Sequence, residues 1–466
     1  MKVAKEVDLG KEHVGKLFVM FAVPAILSQL VNALYNIVDR MYIGHIPDVG
    51  ATALTGVGIC FPLIMIISAF AGLVSMGGAP RASILMGKGN RDGAEKILGN
   101  CFSALLITAV VLTITVLCFQ TTLLDLFGAS ANTLPYAKGY MTIYAIGTIF
   151  VQLTLGMNAF ISAQGFSRIS MLTVIIGAIT NIILDPIFIF VLDMGVQGAA
   201  TATVISQAIS TIWVVRFLCG KDTTIKIKKS CMKIVPAILL PAMALGLAPF
   251  IMQSTESILV LCFNSSLQRY GGDVAVGAMT ILSSVMQFAM LPLSGFTQGA
   301  QPIISFNYGA NHVDRLKKAF KLSLVSCLVY SAILWLGAML IPHLFTSMFT
   351  NDPALTELTI WALRIYMFGC LVFGAQIACQ QAFIALGNAK TSAFLAMFRK
   401  IIVLIPLIYI LPNFFEDKVF AVFLAEPIAD ILAVITTVTL FIMEFRKLLK
   451  EMEARKHKQI QKEKPA

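Results

Sequence analysis

MGGAPRASILMGKGNRD, residues 76–92, has a counterpart in TQGAQPIISFNYGANHVD, residues 297–314. Pro80 lies against Pro302, Gly87 against Gly309 and Asp92 against Asp314, each pair 222 residues apart. A fixed offset over such a distance marks an internal repeat. Other stretches stay close to it: YAIG (144–147) with YMFG (366–369), NAFISAQG (158–165) with QAFIALG (381–387), and GVQGAATATVISQ (195–207) with KVFAVFLAEPIAD (418–430). The chain reads as one structural unit written twice.

Composition says what the unit is made of. Of 466 residues 58% are hydrophobic and 13% charged, and the mean hydropathy is +0.85. Soluble domains carry about 25% charge. A lipid-crossing helix needs about 20 apolar residues, and twelve such runs are present. They lie near 17–40, 51–79, 97–119, 135–160, 171–191 and 196–217, then 235–264, 274–302, 322–345, 357–384, 393–412 and 419–445. The expected fold is an all-α membrane protein with twelve transmembrane helices in two six-helix lobes. Residues 1–220 form the N-terminal lobe, 221–234 a cytoplasmic linker, 235–446 the C-terminal lobe and 447–466 a basic tail. The first run lacks a small-residue cleavage site, so it is read as a retained helix. Six spans per block is an even number, so both blocks cross in the same direction, related by a pseudo-two-fold axis along the membrane normal. Two such bundles enclose a central cleft, which favours a carrier.

Of the 35 Lys and Arg residues, 28 fall in the N-tail, the C-tail and the alternate loops on their side. The opposite side has Arg40, Lys138, Arg269 and Lys418, while Arg364, Arg399 and Lys400 sit in or near spans. By the positive-inside rule both termini are cytoplasmic, in a cell inner (plasma) membrane. The net charge of +11 then reads as a topology signal meeting anionic lipid headgroups, with no nucleic-acid partner. The nine cysteines are scattered without a CxxC and read as small buried apolar residues.

Carboxylates inside spans are costly and usually functional. NIILDPIFIF (181–190) places Asp185 roughly 9 Å below the outer end of its span at about 1.5 Å per residue. Asn181, four residues earlier, shares its helix face. Pro186 lacks an N–H and crowds the carbonyl of Ile182, kinking the helix and freeing an acceptor. Thr203 lies at a similar depth in the next span, and Asp39 near the outer end of the first. Two carboxylates, an amide, a hydroxyl and loosened carbonyls suit a hard monovalent cation or a shared proton. The alternatives are a simple helix kink at Asp185 and an interfacial Asp39 beside Arg40.

In the second half, Glu256 either contacts a cationic ligand in the cleft or pairs with a polar neighbour. Glu426 and Asp430, four apart, are expected to form an internal ion-pair network with Arg399 and Lys400. Met286 and Met290, also four apart, are candidate cleft residues, since soft side chains suit varied ligands.

Pro24-x14-Asp39, YIG (42–44), GKGN (87–90), NIILDP (181–186) and GAATAT (198–203), in that order and within twelve spans, resemble the multidrug and toxic compound extrusion (MATE) family. The resemblance covers nearly the whole chain. It implies a V-shaped pair of lobes and an efflux antiporter working by alternating access. Lipophilic, often cationic drugs or metabolites would leave in exchange for Na+ or H+. It also places the coupling site on Asp39, Asn181, Asp185 and Thr203, with no further metal and no cofactor. One branch of the family carries an acid in span 10. WALRIYMFGCLVFGAQIACQQAFIAL (361–386) has none, so the coupling expectation rests on the N-terminal lobe. The missing acid and FLAEPIAD (423–430) look more like the bacterial branch related to staphylococcal drug exporters. A monomer is expected.

Two other functions compete with this reading. A lipid-linked oligosaccharide flippase would favour a cationic cleft, for which only Arg364, Arg399 and Lys400 are candidates. An intramembrane enzyme would need a catalytic constellation, and neither Asp39 nor Asp185 lies in a GxGD. No His sits mid-span and no phosphate loop is present, so no catalytic residue is assigned.

The charge count yields a direct test of topology. A cysteine introduced at Lys226 is expected to resist a membrane-impermeant maleimide in intact cells and to react after permeabilisation; labelling from outside would invert the scheme.

Overall fold

Lipid offers no partner to a backbone N–H or C=O, so each crossing closes its hydrogen bonds within a helix. In a computed structural model, which describes residues 7–349 and 352–463, the chain is helical almost throughout. Lys2 and Lys5 of the N-tail and residues 464–466 of the basic tail lie outside the described residues. We number the crossings α1 (Val14–Gly44), α2 (Gly50–Gly87), α3 (Arg91–Leu126), α4 (Leu134–Ile146 continued by Thr148–Ala163), α5 (Ser167–Pro186 continued by Ile187–Val191) and α6 (Gly195–Cys219). In the second half α7 and α8 come from one run, Pro236–Gly309, followed by α9 (Val313–Leu340), α10 (Pro353–Tyr366 continued by Cys370–Ala385), α11 (Ala389–Asn413) and α12 (Lys418–Glu463).

The run Pro236–Gly309 has 74 residues. Straight, it would extend about 110 Å, over three times the roughly 30 Å hydrocarbon core. It turns back at Gly272, whose φ of 63° and ψ of −160° suit only a residue without Cβ. The polar loop expected between residues 264 and 274 is thus helical up to this one glycine, with 236–271 forming α7 and 273–309 forming α8. The twelve expected crossings are all present, in two lobes of six.

The repeat is visible in the geometry. α4 bends by 56° where Gly147 interrupts it, and α10 by 51° at a break that includes Gly369, 222 residues later. A Cβ on Gly147 would lie 2.3 Å from Val204, and one on Gly369 would lie 2.9 Å from the Cβ of Asp430. At both bends a helix of the same lobe, α6 or α12, presses into the break.

The lobes join through reciprocal backbone contacts at the basic end of the molecule. A Cβ on Gly87 would sit 2.1 Å from the carbonyl oxygen of Phe306, and one on Gly309 would sit 2.0 Å from that of Ile84. Ile84 and Phe306 are again 222 apart, so the contact maps onto itself when the halves exchange. Nearer mid-height Gly77 meets Ala242 on α7, and Gly299 meets Ala22 on α1. Phe70 packs edge-on against Phe250 with ring centroids 5.0 Å apart. Residues ahead of α1 add to the seal: Arg315 Nη2 donates to the carbonyls of Leu9 (2.9 Å) and Glu12 (2.7 Å).

The polar segment between the lobes belongs structurally to the first. Thr223 Oγ1 (2.7 Å) and Ile225 N (2.8 Å) donate to Gln164 Oε1. Val235 N donates to Asn100 Oδ1 at 2.6 Å, and Lys228 forms an ion pair with Glu95. That carboxylate, hydrogen-bonded to the ammonium, raises the pKa of Lys228.

Gly309→Leu forces the paired backbones apart, at a cost of about 1–3 kcal/mol for overpacking. A cysteine at Ser83, fully buried beside this contact, is expected to be protected from a small water-soluble thiol reagent in the parent and to react in the Gly309→Leu variant.

Candidate functional site

The N-terminal lobe gathers its buried polar groups where α1, α5 and α6 meet. α5 is regular up to Pro186 and continues as a wider π-helical turn over Ile187–Val191. A missing N–H and a ring that crowds the preceding turn account for the change, and π turns often mark functional sites. α6 approaches this turn closely, because Gly198 has no side chain: its Cβ would lie 2.6 Å from the carbonyl oxygen of Phe188. That approach brings Thr203 to α5.

Asn181 Nδ2 donates to Asp185 Oδ1 at 3.0 Å and to Thr203 Oγ1 at 3.4 Å. Asp39, on α1, comes within hydrogen-bonding reach of Asp185. All four residues singled out from the sequence are together, and Asp185, Asn181 and Asp39 are buried. Three oxygens in this group, Asp39 Oδ1, Asn181 Oδ1 and Asp185 Oδ2, are buried without a hydrogen-bond donor from the protein. Burying such atoms unsatisfied is costly. The donor set is hard oxygen throughout, with two carboxylates. No group of three or more His, Cys, Asp or Glu side chains suited to a metal occurs among the described residues. Oxygen ligands of this number and charge fit a monovalent cation or a proton.

Two tyrosines complete the cluster. Tyr140 on α4 stands close to Thr203 and stacks on Tyr144 with centroids 6.1 Å apart. Tyr35 stands close to both carboxylates. Tyr35 had a signal in the sequence, since it precedes Asp39 by four residues on the same helix face. Tyr140 had none.

The C-terminal lobe has its own buried charges. Arg399 on α11 donates through Nη2 to Glu426 Oε1 at 2.8 Å and lies 2.7 Å from Asp430 Oδ1. Its guanidinium stacks over Phe373, 4.6 Å from the ring centre. Lys400 turns the other way, to Glu256 on α7. The expected network thus divides between two cations. Both inner cations are engaged by carboxylates, while Arg364 is exposed. Met286 and Met290 are half-buried, each packed against an apolar cluster of the C-terminal lobe. All nine cysteines are free.

The MatE family model matches the chain twice, over residues 24–187 and 248–410. Similar proteins include the Multidrug export protein MepA of Staphylococcus haemolyticus (strain JCSC1435), 25% identical over 425 residues that span 91% of this chain and 93% of that protein. The protein of the same name from Staphylococcus saprophyticus subsp. saprophyticus is 24% identical over 430 residues, 91% of this chain and 94% of that one. Among solved structures, MATE in the bent conformation superposes with a TM-score of 0.90 at 24% identity, covering 97% of this chain and 100% of that chain. The outward-facing conformation of a multidrug resistance MATE family transporter of the MOP superfamily superposes with a TM-score of 0.87, also at 24% identity, covering 97% and 100%. These likenesses show a shared fold, and the family model's match to both halves shows more: the chain belongs to the MATE family of transporters.

Proposed function

We propose that this chain is a secondary active multidrug efflux antiporter, exporting lipophilic, mostly cationic or zwitterionic compounds in exchange for Na+ or H+. The observation that carries the coupling role is the trio of donor-less buried oxygens on Asp39, Asn181 and Asp185. A cation entering among them has all three as ligands, a proton binds one carboxylate oxygen and is shared with the other, and either offsets one carboxylate charge. The name of the staphylococcal relatives, multidrug export protein, supports the same direction of transport.

Coupling follows from position. The cluster joins α1, α5 and α6, and α1, like α2, also meets α8 of the opposite lobe, at Gly295 and Gly299. A bound cation draws α1 toward α5, and release lets it relax. Only a difference in cation affinity between the two states drives such a shift; to move an equilibrium from 1:99 to 99:1 that difference must reach about 10⁴-fold. The closed contact at Gly87 and Gly309 fits the state whose cleft faces away from the basic side, in which drug leaves and the coupling ion enters. Glu256, with its side chain 67% exposed, supplies the cleft with a carboxylate for a cationic substrate. The chain is proposed to work as a monomer, in the plasma membrane with both termini cytoplasmic.

Asp185→Asn keeps the size and removes the charge. In proteoliposomes with a Na+ or a pH gradient imposed separately, it is expected to abolish gradient-driven efflux while drug binding and expression persist. Uphill efflux at the parental rate would reduce Asp185 to a helix kink. Asn181→Ala and Thr203→Ala remove one neutral ligand each and are expected to lower apparent affinity for the driving ion about tenfold, near 1.4 kcal/mol, without abolishing transport. Glu256→Gln is expected to impair export of cationic dyes; unchanged resistance to every one of them would remove Glu256 from the substrate site.

A further inference from the structure

Three carboxylates and two cations share the interior of the C-terminal lobe, and they fall into two unequal sets. Arg399, Glu426 and Asp430 are sealed, with side chains 8%, 7% and 2% exposed. Lys400 is sealed as well, at 6%, yet the Glu256 carboxylate it binds is 67% exposed. Lys400 Nζ also donates to the carbonyl of Met252 at 2.7 Å. That carbonyl belongs to the turn of α7 just before Glu256, so the ammonium is fixed from behind and grips the carboxylate from one side.

The open side of Glu256 faces the cleft. Glu256 lies deep in the molecule, although it is open to solvent. Gln253, three residues earlier on the same face of α7, comes within 4.0 Å of Met65 Sδ on α2 in the opposite lobe. A carboxylate on this face has a buried cation behind it and open space in front.

The repeat sharpens the contrast with the first lobe. In the pairing of residues 195–207 with 418–430, Glu426 takes the place of Thr203 and Asp430 that of Gln207. Where the N-terminal lobe leaves three oxygens without a donor, the C-terminal lobe has built in Arg399 and Lys400. The count is still uneven: Glu256, Glu426 and Asp430 are three carboxyl groups against two cations. An uncompensated charge away from water is costly. Glu426 and Asp430 share Arg399, whereas Glu256, the open carboxylate of the three, has Lys400 to itself.

We propose that Lys400 is a tethered counter-ion, which holds Glu256 in reserve and yields it to the cationic centre of a substrate, thereby setting how tightly the cleft binds a monocation. This rests on the substrate role given above to Glu256. The exchange replaces one ammonium by another. The substrate's cation takes the open face of Glu256, and Lys400 stays on the Met252 carbonyl and leans toward Glu426, which already interacts with it electrostatically. With one monocation bound, three carboxyl groups face three cations. A neutral compound gains nothing from the exchange, so Lys400 shifts the relative affinities of charged and uncharged substrates, which is what specificity consists of. A bare carboxylate would hold a cation strongly in both states of the carrier and release it slowly.

The test uses the purified full chain in lipid nanodiscs, with tetraphenylphosphonium as a monovalent lipophilic cation, and turnover of the same probe in proteoliposomes. Lys400→Met is expected to tighten tetraphenylphosphonium binding roughly tenfold, about 1.4 kcal/mol, and to slow turnover. Lys400→Arg is expected to keep both near the parental values. Glu256→Gln is expected to weaken binding, and Lys400→Met added to Glu256→Gln to produce no tightening. A merely structural lysine would lose binding and thermal stability together. Lys400→Gln, which keeps a donor for the Met252 carbonyl, carries the same expectation if Lys400→Met does not fold. Unchanged or weakened binding in a folded Lys400→Met or Lys400→Gln overturns the proposal, as does tightening that persists beside Glu256→Gln. If Glu256→Gln itself leaves binding unchanged, the substrate role of Glu256 falls with it; if Glu256→Gln weakens binding and the lysine variants do not tighten it, only the counter-ion role falls.

Discussion

A carboxylate carried into a lipid-crossing bundle has to meet a cation, a proton or a set of hydrogen-bond donors, and the two lobes answer this requirement in opposite ways. The first lobe leaves part of it unanswered: Asn181 serves one oxygen of Asp185, and the other stays without a donor beside Asp39. The second answers it with its own side chains, Arg399 for Glu426 and Asp430, Lys400 for Glu256. One repeated scaffold thus leaves oxygens without a donor on one side and supplies fixed charge partners on the other. The asymmetry supports the proposed division of labour, with ion coupling in the first lobe and ligand contact at the cleft wall of the second.

The join between the lobes is made of backbone, and this suits a carrier that must open and close it. Gly87 and Gly309 bring main chains to a distance that no Cβ permits. Contacts between small residues are many and individually weak, so they part without breaking a buried ion pair. The Arg315 hydrogen bonds to Leu9 and Glu12 close the same end with neutral carbonyl acceptors, which water replaces at modest cost when the end opens.

The twelve crossings were legible because lipid imposes one long apolar run on each of them, and the repeat was legible because glycines and prolines mark breaks that packing requires. The helix ends were not. α2 runs to Gly87 and α3 starts at Arg91, well past the apolar segments, since hydropathy reports the lipid boundary and helices continue into water. The turn between α7 and α8 was hidden for a related reason: SSLQRYGGD (265–273) is polar enough to read as a loop, yet it stays helical up to Gly272. In the site, the spacing of Asn181 and Asp185 put them on one face without further information, whereas Tyr140 arrives through the fold alone. Glu426 and Asp430 were expected to share Arg399 and Lys400. Adjacent helical residues point about 100° apart, so one of the two cations had to face another helix, and only the packing shows that it is α7.

The segment joining the lobes has a mechanical consequence. Its sequence, CGKDTTIKIKKSCMK (219–233), has the length of a slack tether. With Thr223, Ile225, Lys228 and Val235 all fastened to the first lobe, little of that slack remains. The chain passes from one rigid body to the other at the step from Val235 to Pro236, next to Asn100. A tether this short acts as a pin: it permits rotation about its own position and opposes separation. Together with the glycine contact at the same end, it gives the two lobes a fulcrum, so that a few degrees of tilt at the basic end become a displacement of several ångströms at the far mouth of the cleft.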